Sequence, residues 1–162
     1  MTIATGQSLP EATFTEMNDS GVQQIPSADI FKGRKVVLFG LPGAYTGTCS
    51  TQHVPSFMRT AKAFGDKGVD AIVCVSVNDP FVMDAWGKAT GAVEGGLRFV
   101  ADAGGDFTRA LGLDFDAPPV GLHGRSKRYA MLVDDGVIKV LSVEDSPGDC
   151  VISAGEALLE AV

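Results

Sequence analysis

Cysteine is scarce in this chain: three residues, Cys49, Cys74 and Cys150, among 162. An odd, scattered set of this size excludes a disulfide framework and points to a reducing compartment, with thiols that are either reactive or simply buried. Histidine is scarcer still, with only His53 and His123. No C-x-x-C or H-x-x-x-H occurs, so the usual zinc spacings are missing and a C-x-x-C disulfide oxidoreductase is disfavoured. Basic residues are outnumbered, 13 Lys and Arg against 20 Asp and Glu, for a net charge of −7. That balance argues against nucleic-acid and anionic-membrane partners, which need clustered Lys and Arg. No apolar run approaches the roughly 20 residues of a membrane span. The opening MTIATGQ has neither the basic nor the apolar region of a secretory signal. A cytoplasmic protein acting on a neutral small molecule is expected, with organelle import of a longer precursor left open.

The rest of the composition is that of a packed globular chain, 45% apolar and 20% charged, and one domain over 1–162 is expected. Residues 12–17 and 21–25 flank Asn18-Asp19-Ser20 and read as a β-hairpin. Residues 35–40 form an apolar strand, and 69–77 are apolar on both faces, as a central strand of a covered sheet must be. Val54, Phe57, Met58, Ala61 and Phe64 mark one face of a helix, with Pro55 expected to kink it. A helix is expected at 79–89, with Trp86 as core or interface packing. A strand follows at 97–101 and a short helix at 107–111. Residues 128–133 and 137–143 flank Asp134-Asp135-Gly136 as a second hairpin. Ser153 and Glu156 form an S-x-x-E capping box for a last helix. Strands and helices alternate and a hairpin closes the chain, which implies an α/β fold: a mixed central sheet with helices on both faces and an added N-terminal β-hairpin.

The run from Pro42 to Cys49 carries the chemistry. Cys49 follows a Pro- and Gly-rich turn, directly after a strand and at the start of a helix. There it meets unpaired backbone N–H groups and the positive end of the helix dipole, both of which favour a thiolate. Thr46, three residues earlier in the same turn, offers a hydroxyl to the same pocket. Pro42 walls it without adding a donor.

Pro42, Thr46 and Cys49 make up P-x-x-x-T-x-x-C, which resembles the active-site signature of the peroxiredoxins. VLFGLPGA before the cysteine and CSTQHVP from it resemble the type II, atypical two-cysteine branch, with its plant-like and bacterial members. SVNDPFVM at 76–83 and KRYAMLV at 127–133 match further family blocks, and the resemblance runs from about residue 3 to 160. It departs at Tyr45, where the family usually has Phe, and at Gly47, where it has Pro. The resemblance implies a thioredoxin-like fold and a thiol-dependent peroxidase that reduces hydrogen peroxide and alkyl hydroperoxides through a sulfenic acid on Cys49. It further implies Arg128 as the active-site arginine beside Thr46 and Pro42, a homodimer, and no metal, flavin or haem. Read alone, Arg128 is a strand-end arginine in solvent. The reductant implied is glutathione with glutaredoxin, or thioredoxin.

Two cysteines are candidates to resolve Cys49. Cys74 lies inside an apolar strand, which favours core packing. Cys150 lies in a turn-rich segment, where Asp149 and its acidic neighbours disfavour a thiolate. The position that animal-type members use aligns nearer Ile152. An external thiol is the favoured alternative, because the plant-like members resemble this chain most. His53 reads as a surface or supporting residue, and a Cys49–His53 pair would instead make a thiol hydrolase. A redox-regulated chaperone or interaction protein is the non-enzymatic alternative.

Overall fold

The computed structural model describes residues 1–162. Its frame is a seven-stranded mixed sheet in the order β2-β1-β5-β4-β3-β8-β9. The strands are β1 (Thr13–Asn18), β2 (Gly21–Pro26), β3 (Lys35–Gly40), β4 (Ala71–Ser76), β5 (Arg98–Ala101), β8 (Tyr129–Asp134) and β9 (Val137–Val143). Strands β3, β4 and β5 run parallel, while β1, β2, β8 and β9 are added antiparallel at the flanks. A separate two-stranded ribbon pairs β6 (Asp114–Ala117) with β7 (Leu122–Ser126). The N-terminal hairpin turns where Asn18 Oδ1 accepts the Ser20 N–H, the local bond that makes Asn a turn former. The β8–β9 hairpin turns at Asp135 and Gly136, both left-handed, as a tight hairpin requires.

Helices cover both faces because the central strands are apolar on both. On one face α2 (Val54–Asp66), α3 (Pro80–Ala89) and α5 (Gly155–Glu160) pack Phe57, Phe64, Met83, Trp86 and Leu158 against Phe39, Cys74, Phe99 and Leu132. On the other, α1 (Ser27–Phe31) and α4 (Asp106–Leu111) bring Ile30, Phe31, Phe107 and Leu111 to Val36, Leu38, Val73, Val100 and Met131. The thioredoxin-like α/β architecture with its N-terminal hairpin is therefore as the sequence implied. Helix α1 and the β6–β7 ribbon were not anticipated. The first is too short to show a helical period, and the second is half exposed and alternates only over short, weakly apolar strands.

Two local expectations are corrected. Pro55 does not lie inside a regular α-helix. Residues Cys49–His53 instead form a π-helical turn, closed by the Val54 N–H to the Cys49 carbonyl, and α2 then starts with Pro55 in its first turn. The wider π turn shifts the preceding carbonyl that the proline ring would otherwise crowd. The capping box does not form either. Helix α5 has Ala154 at its N-cap with no side-chain cap bond. Ser153 Oγ donates instead to Glu144 at 2.6 Å, and Glu156 pairs with Arg59 on the surface. A buried carboxylate outcompetes the local cap.

Candidate active site

Strand β3 ends at Gly40, and the chain turns through Pro42 to the π turn that begins at Cys49. Asn78 secures this turn by accepting the Ala44 N–H at 3.0 Å, and Ser76 in turn donates to Asn78 Oδ1 at 2.7 Å. Pro42 is buried and its carbonyl accepts from Arg125 at 3.3 Å. Thr46 donates its hydroxyl to the Gly43 carbonyl at 2.7 Å, which fixes the rotor and leaves the oxygen's lone pairs free. The N–H groups of Thr48 and Cys49 find no acceptor within the chain, as expected at a helix start. Tyr45 is exposed with a left-handed backbone (φ 63°).

Arg128 arrives from the other side of the sheet's end. Gly40 pairs with Tyr129 across the antiparallel β3–β8 ladder, so the residue before Tyr129 falls just beyond the end of β3, level with the turn. A Cβ on Gly40 would lie 2.5 Å from the Tyr129 Cζ, so only glycine lets this ring lie flat against the strand. Arg128 is 1% exposed, which overturns the solvent-arginine reading. Its Nη2 donates to Cys49 Sγ at 3.2 Å and to the Pro147 carbonyl at 3.0 Å, and its Nη1 donates to His53 Nδ1 at 3.0 Å. Its Nε–H has no partner. A buried guanidinium is tolerable only when its donors are engaged, and here three acceptors surround it.

His53 is wholly buried rather than at the surface. It packs edge-on against Phe39 and tilted against Phe57, with ring centroids 5.0 Å and 5.6 Å away. Burial first, and the Arg128 charge second, lower its pKa from 6.5 to about 3. Arg128 can only donate to Nδ1, and the Ser153 carbonyl can only accept from Nε2, 3.0 Å away. The ring is therefore neutral with its proton on Nε2. Both nitrogens are committed and neither faces the sulfur as a base, so a Cys–His hydrolase has no proton acceptor here.

Cys49 and Cys74 are both fully buried. Burial pushes the Cys74 thiol well up, and Cys74 sits mid-ladder between Phe39 and Phe99. Cys150 is half-buried and its thiol is also raised, by burial first and by Glu144 among the charges. It lies on a strap, residues 144–154, that connects β9 to α5 across the mouth of the site. No three His, Cys, Asp or Glu side chains gather at metal-binding spacing, and no helix is long and apolar enough to cross a membrane.

This geometry has close counterparts. The Redoxin family model matches residues 4–159. Mitochondrial peroxiredoxin-2F of Arabidopsis thaliana is 45% identical over 157 residues, 96% of this chain and 78% of that protein. Chloroplastic peroxiredoxin-2E-2 of Oryza sativa is 45% identical over 165 residues, 99% of this chain and 73% of that one. The chain belongs to the type II, plant-like branch of the peroxiredoxins. Among solved structures, reduced Prx3 of Vibrio vulnificus in complex with H2O2 superposes with a TM-score of 0.91 at 45% identity, covering 99% of each chain. As a peroxiredoxin the protein is a thiol-dependent peroxidase, an oxidoreductase that takes a peroxide as substrate and a thiol reductant of the thioredoxin kind.

The cytoplasmic expectation is corrected by these relatives, since peroxiredoxins this similar are named mitochondrial and chloroplastic. Three scattered cysteines distinguish a reducing setting from a disulfide scaffold. They do not tell one reducing compartment from another.

The sequence missed Asn78 and Glu144; of the two readings it left for His53, the supporting one holds and the surface one does not. His53 did have a signal: it lies four residues before Phe57 and eleven before Phe64, on the buried stripe of the helix.

Proposed function

We propose that Cys49 is the nucleophile of this peroxidase, with Arg128, Thr46 and Pro42 completing its pocket in a single domain spanning 1–162. The observation that carries this reading is the Arg128 guanidinium, which donates to Cys49 Sγ at 3.2 Å inside the protein. A fixed charge at that distance offsets the negative charge of a thiolate. The sulfur attacks the terminal peroxide oxygen: an S–O bond forms, the O–O bond breaks, and the leaving alkoxide or hydroxide takes up a proton. The products are Cys49 sulfenic acid and an alcohol or water. The unpaired N–H groups of Thr48 and Cys49 and the free Arg128 Nε–H supply donors for the oxygens as charge moves onto them. Thr46 orients the peroxide through its lone pairs, and Pro42 excludes water.

For the reductant, the reading is an external thiol of the glutathione–glutaredoxin kind. Cys74 is held inside β4 by ladders on both sides, so bringing it to Cys49 would unzip the central sheet. Cys150 is closer to the surface, but its strap is tied down at several points and its thiol is raised. The external thiol condenses with the sulfenic acid and releases water, and a second thiol then reduces the mixed disulfide. A homodimer is part of this reading on the family resemblance alone and is checked by sedimentation.

The test is one equivalent of hydrogen peroxide on the reduced protein, followed by intact and peptide mass spectra. One added oxygen on Cys49, converted by glutathione to a mixed disulfide, is the expected result. Loss of two protons mapped to Cys49–Cys150 would replace the external thiol by an internal one. A Cys49→Ser variant that still consumes peroxide would overturn the assignment of the nucleophile.

A further inference from the structure

Arg128 owes its position to acceptors that come from the strap. The Pro147 carbonyl takes one Nη2 bond directly. The Ser153 carbonyl takes the His53 Nε2–H and so orients the ring that accepts from Nη1. These two carbonyls stand six residues apart on a segment with no regular secondary structure. Such a segment holds one carbonyl on the guanidinium and another on its histidine partner only if something closes it.

Glu144 closes it. Only 7% exposed, it stands at the exit of β9, where its N–H bonds the Arg128 carbonyl at 2.9 Å. Its Oε2 accepts the Val151 N–H at 2.8 Å, the Ser153 N–H at 2.7 Å and the Ser153 hydroxyl at 2.6 Å. These bonds hold the carboxylate below its usual range against the opposing effect of burial. The strap is further tied where Thr48, next to Cys49, donates to the Gly148 carbonyl at 3.1 Å. On its outer side lies a cavity of about 300 Å³ lined by Phe115, Lys127, Val143, Glu144, Asp145 and Pro147, room into which a released strap can shift.

We infer that Glu144 is a positioning residue of the peroxidase: it closes the 144–154 strap, and through Pro147, Ser153 and His53 the strap aims Arg128 at Cys49. Glu144 touches neither the sulfur nor the peroxide, and the inference rests on the role proposed above for Arg128. The charged and titratable groups around this arrangement are Arg128, His53, Lys127, Asp145 and Cys150. None of them offers Glu144 a direct ion pair, so its partners are the strap's own donors.

The test is a double-mutant cycle with Glu144→Gln and Arg128→Ala. It reads the second-order rate of Cys49 with iodoacetamide at neutral pH, and with hydrogen peroxide. Glu144→Gln keeps the volume and removes the charge. It is expected to slow both reactions about tenfold, the usual scale for loss of a group that orients an active-site residue. In the Arg128→Ala background it should slow them no further, because the residue it positions is gone. Ser153→Ala, which removes a single donor to Oε2, should give a smaller loss in the same direction if Glu144→Gln fails to fold. A Glu144→Gln protein that melts earlier yet reacts at the wild-type rate would overturn the inference, as would equal slowing in both backgrounds. If Arg128→Ala itself leaves both rates unchanged, the proposed role of Arg128 fails first.

Discussion

Acidification should destabilise this protein through one histidine. His53 is buried with a pKa near 3, against 6.5 for the free side chain. Between those values the unfolded chain binds a proton at this residue and the folded chain does not, so stability rises with pH through the window. The contribution is fully present above pH 6.5 and is lost as pH falls towards 3. The slope approaches about 1.4 kcal/mol per pH unit below 6.5, so going from pH 7 to 4.5 removes about 2.5 kcal/mol. That is a large share of the roughly 5–15 kcal/mol by which such domains are stable. Protonation would also place an N–H on Nδ1, where Arg128 now donates, so two donors would confront each other inside the protein. The measurement is urea unfolding near pH 7, 5.5 and 4.5, for the wild type and for His53→Gln, which does not titrate. The lowered carboxylates Glu144 and Glu156 keep their contribution above their ordinary range and lose it only as pH falls through their depressed values. They do so in both proteins, and their effect cancels in the difference. The wild type should lose about 2.5 kcal/mol more than the variant between pH 7 and 4.5. Parallel losses in the two proteins would refute the reasoning.

Gly40→Ala should lower stability by about 1–3 kcal/mol in urea unfolding, the usual cost of overpacking, because its methyl group would overlap the Tyr129 ring. Gly47→Pro should do the opposite. A Cβ there meets nothing within 4 Å and its N–H has no acceptor, so the melting temperature should rise by a few degrees, for about 0.4–1 kcal/mol, with peroxidase activity retained. The single tryptophan, Trp86, donates to Ser50 Oγ at 3.0 Å, and Ser50 adjoins Cys49. Peroxide should therefore change its fluorescence in the wild type and leave Cys49→Ser unchanged.

The sheet was legible because its central strands are apolar on both faces and its helices repeat an apolar residue each turn, and both patterns are local. Elements without a period escaped. Ser27–Phe31 is a single turn of helix, and the β6–β7 ribbon alternates too weakly between solvent and protein to be read. The capping box at Ser153 shows the opposite error. Its S-x-x-E spacing is a valid local signal, but Glu144, nine residues back in sequence, offers the same serine a charged acceptor. A charge-assisted bond in a buried setting outweighs a neutral helix cap.

The site divides along the same line. Pro42, Thr46 and Cys49 lie within one turn and announce themselves by spacing, whereas Arg128 stands 79 residues from the sulfur it faces. Only strand register delivers it. Strand β8 runs antiparallel to β3 with Tyr129 opposite Gly40, so the residue before Tyr129 must fall where β3 gives way to the Pro42 turn. Register alone, however, leaves a long side chain free to choose among rotamers. The acceptors that remove this freedom come from His53, one turn along the helix, and from a strap a further turn of chain past β9. None is periodic, and they pair residues 19 and 75 positions apart. The result is a site whose nucleophile is written locally while the aim of its cation depends on contacts that reach back to residue 53 and forward to residues 147 and 153.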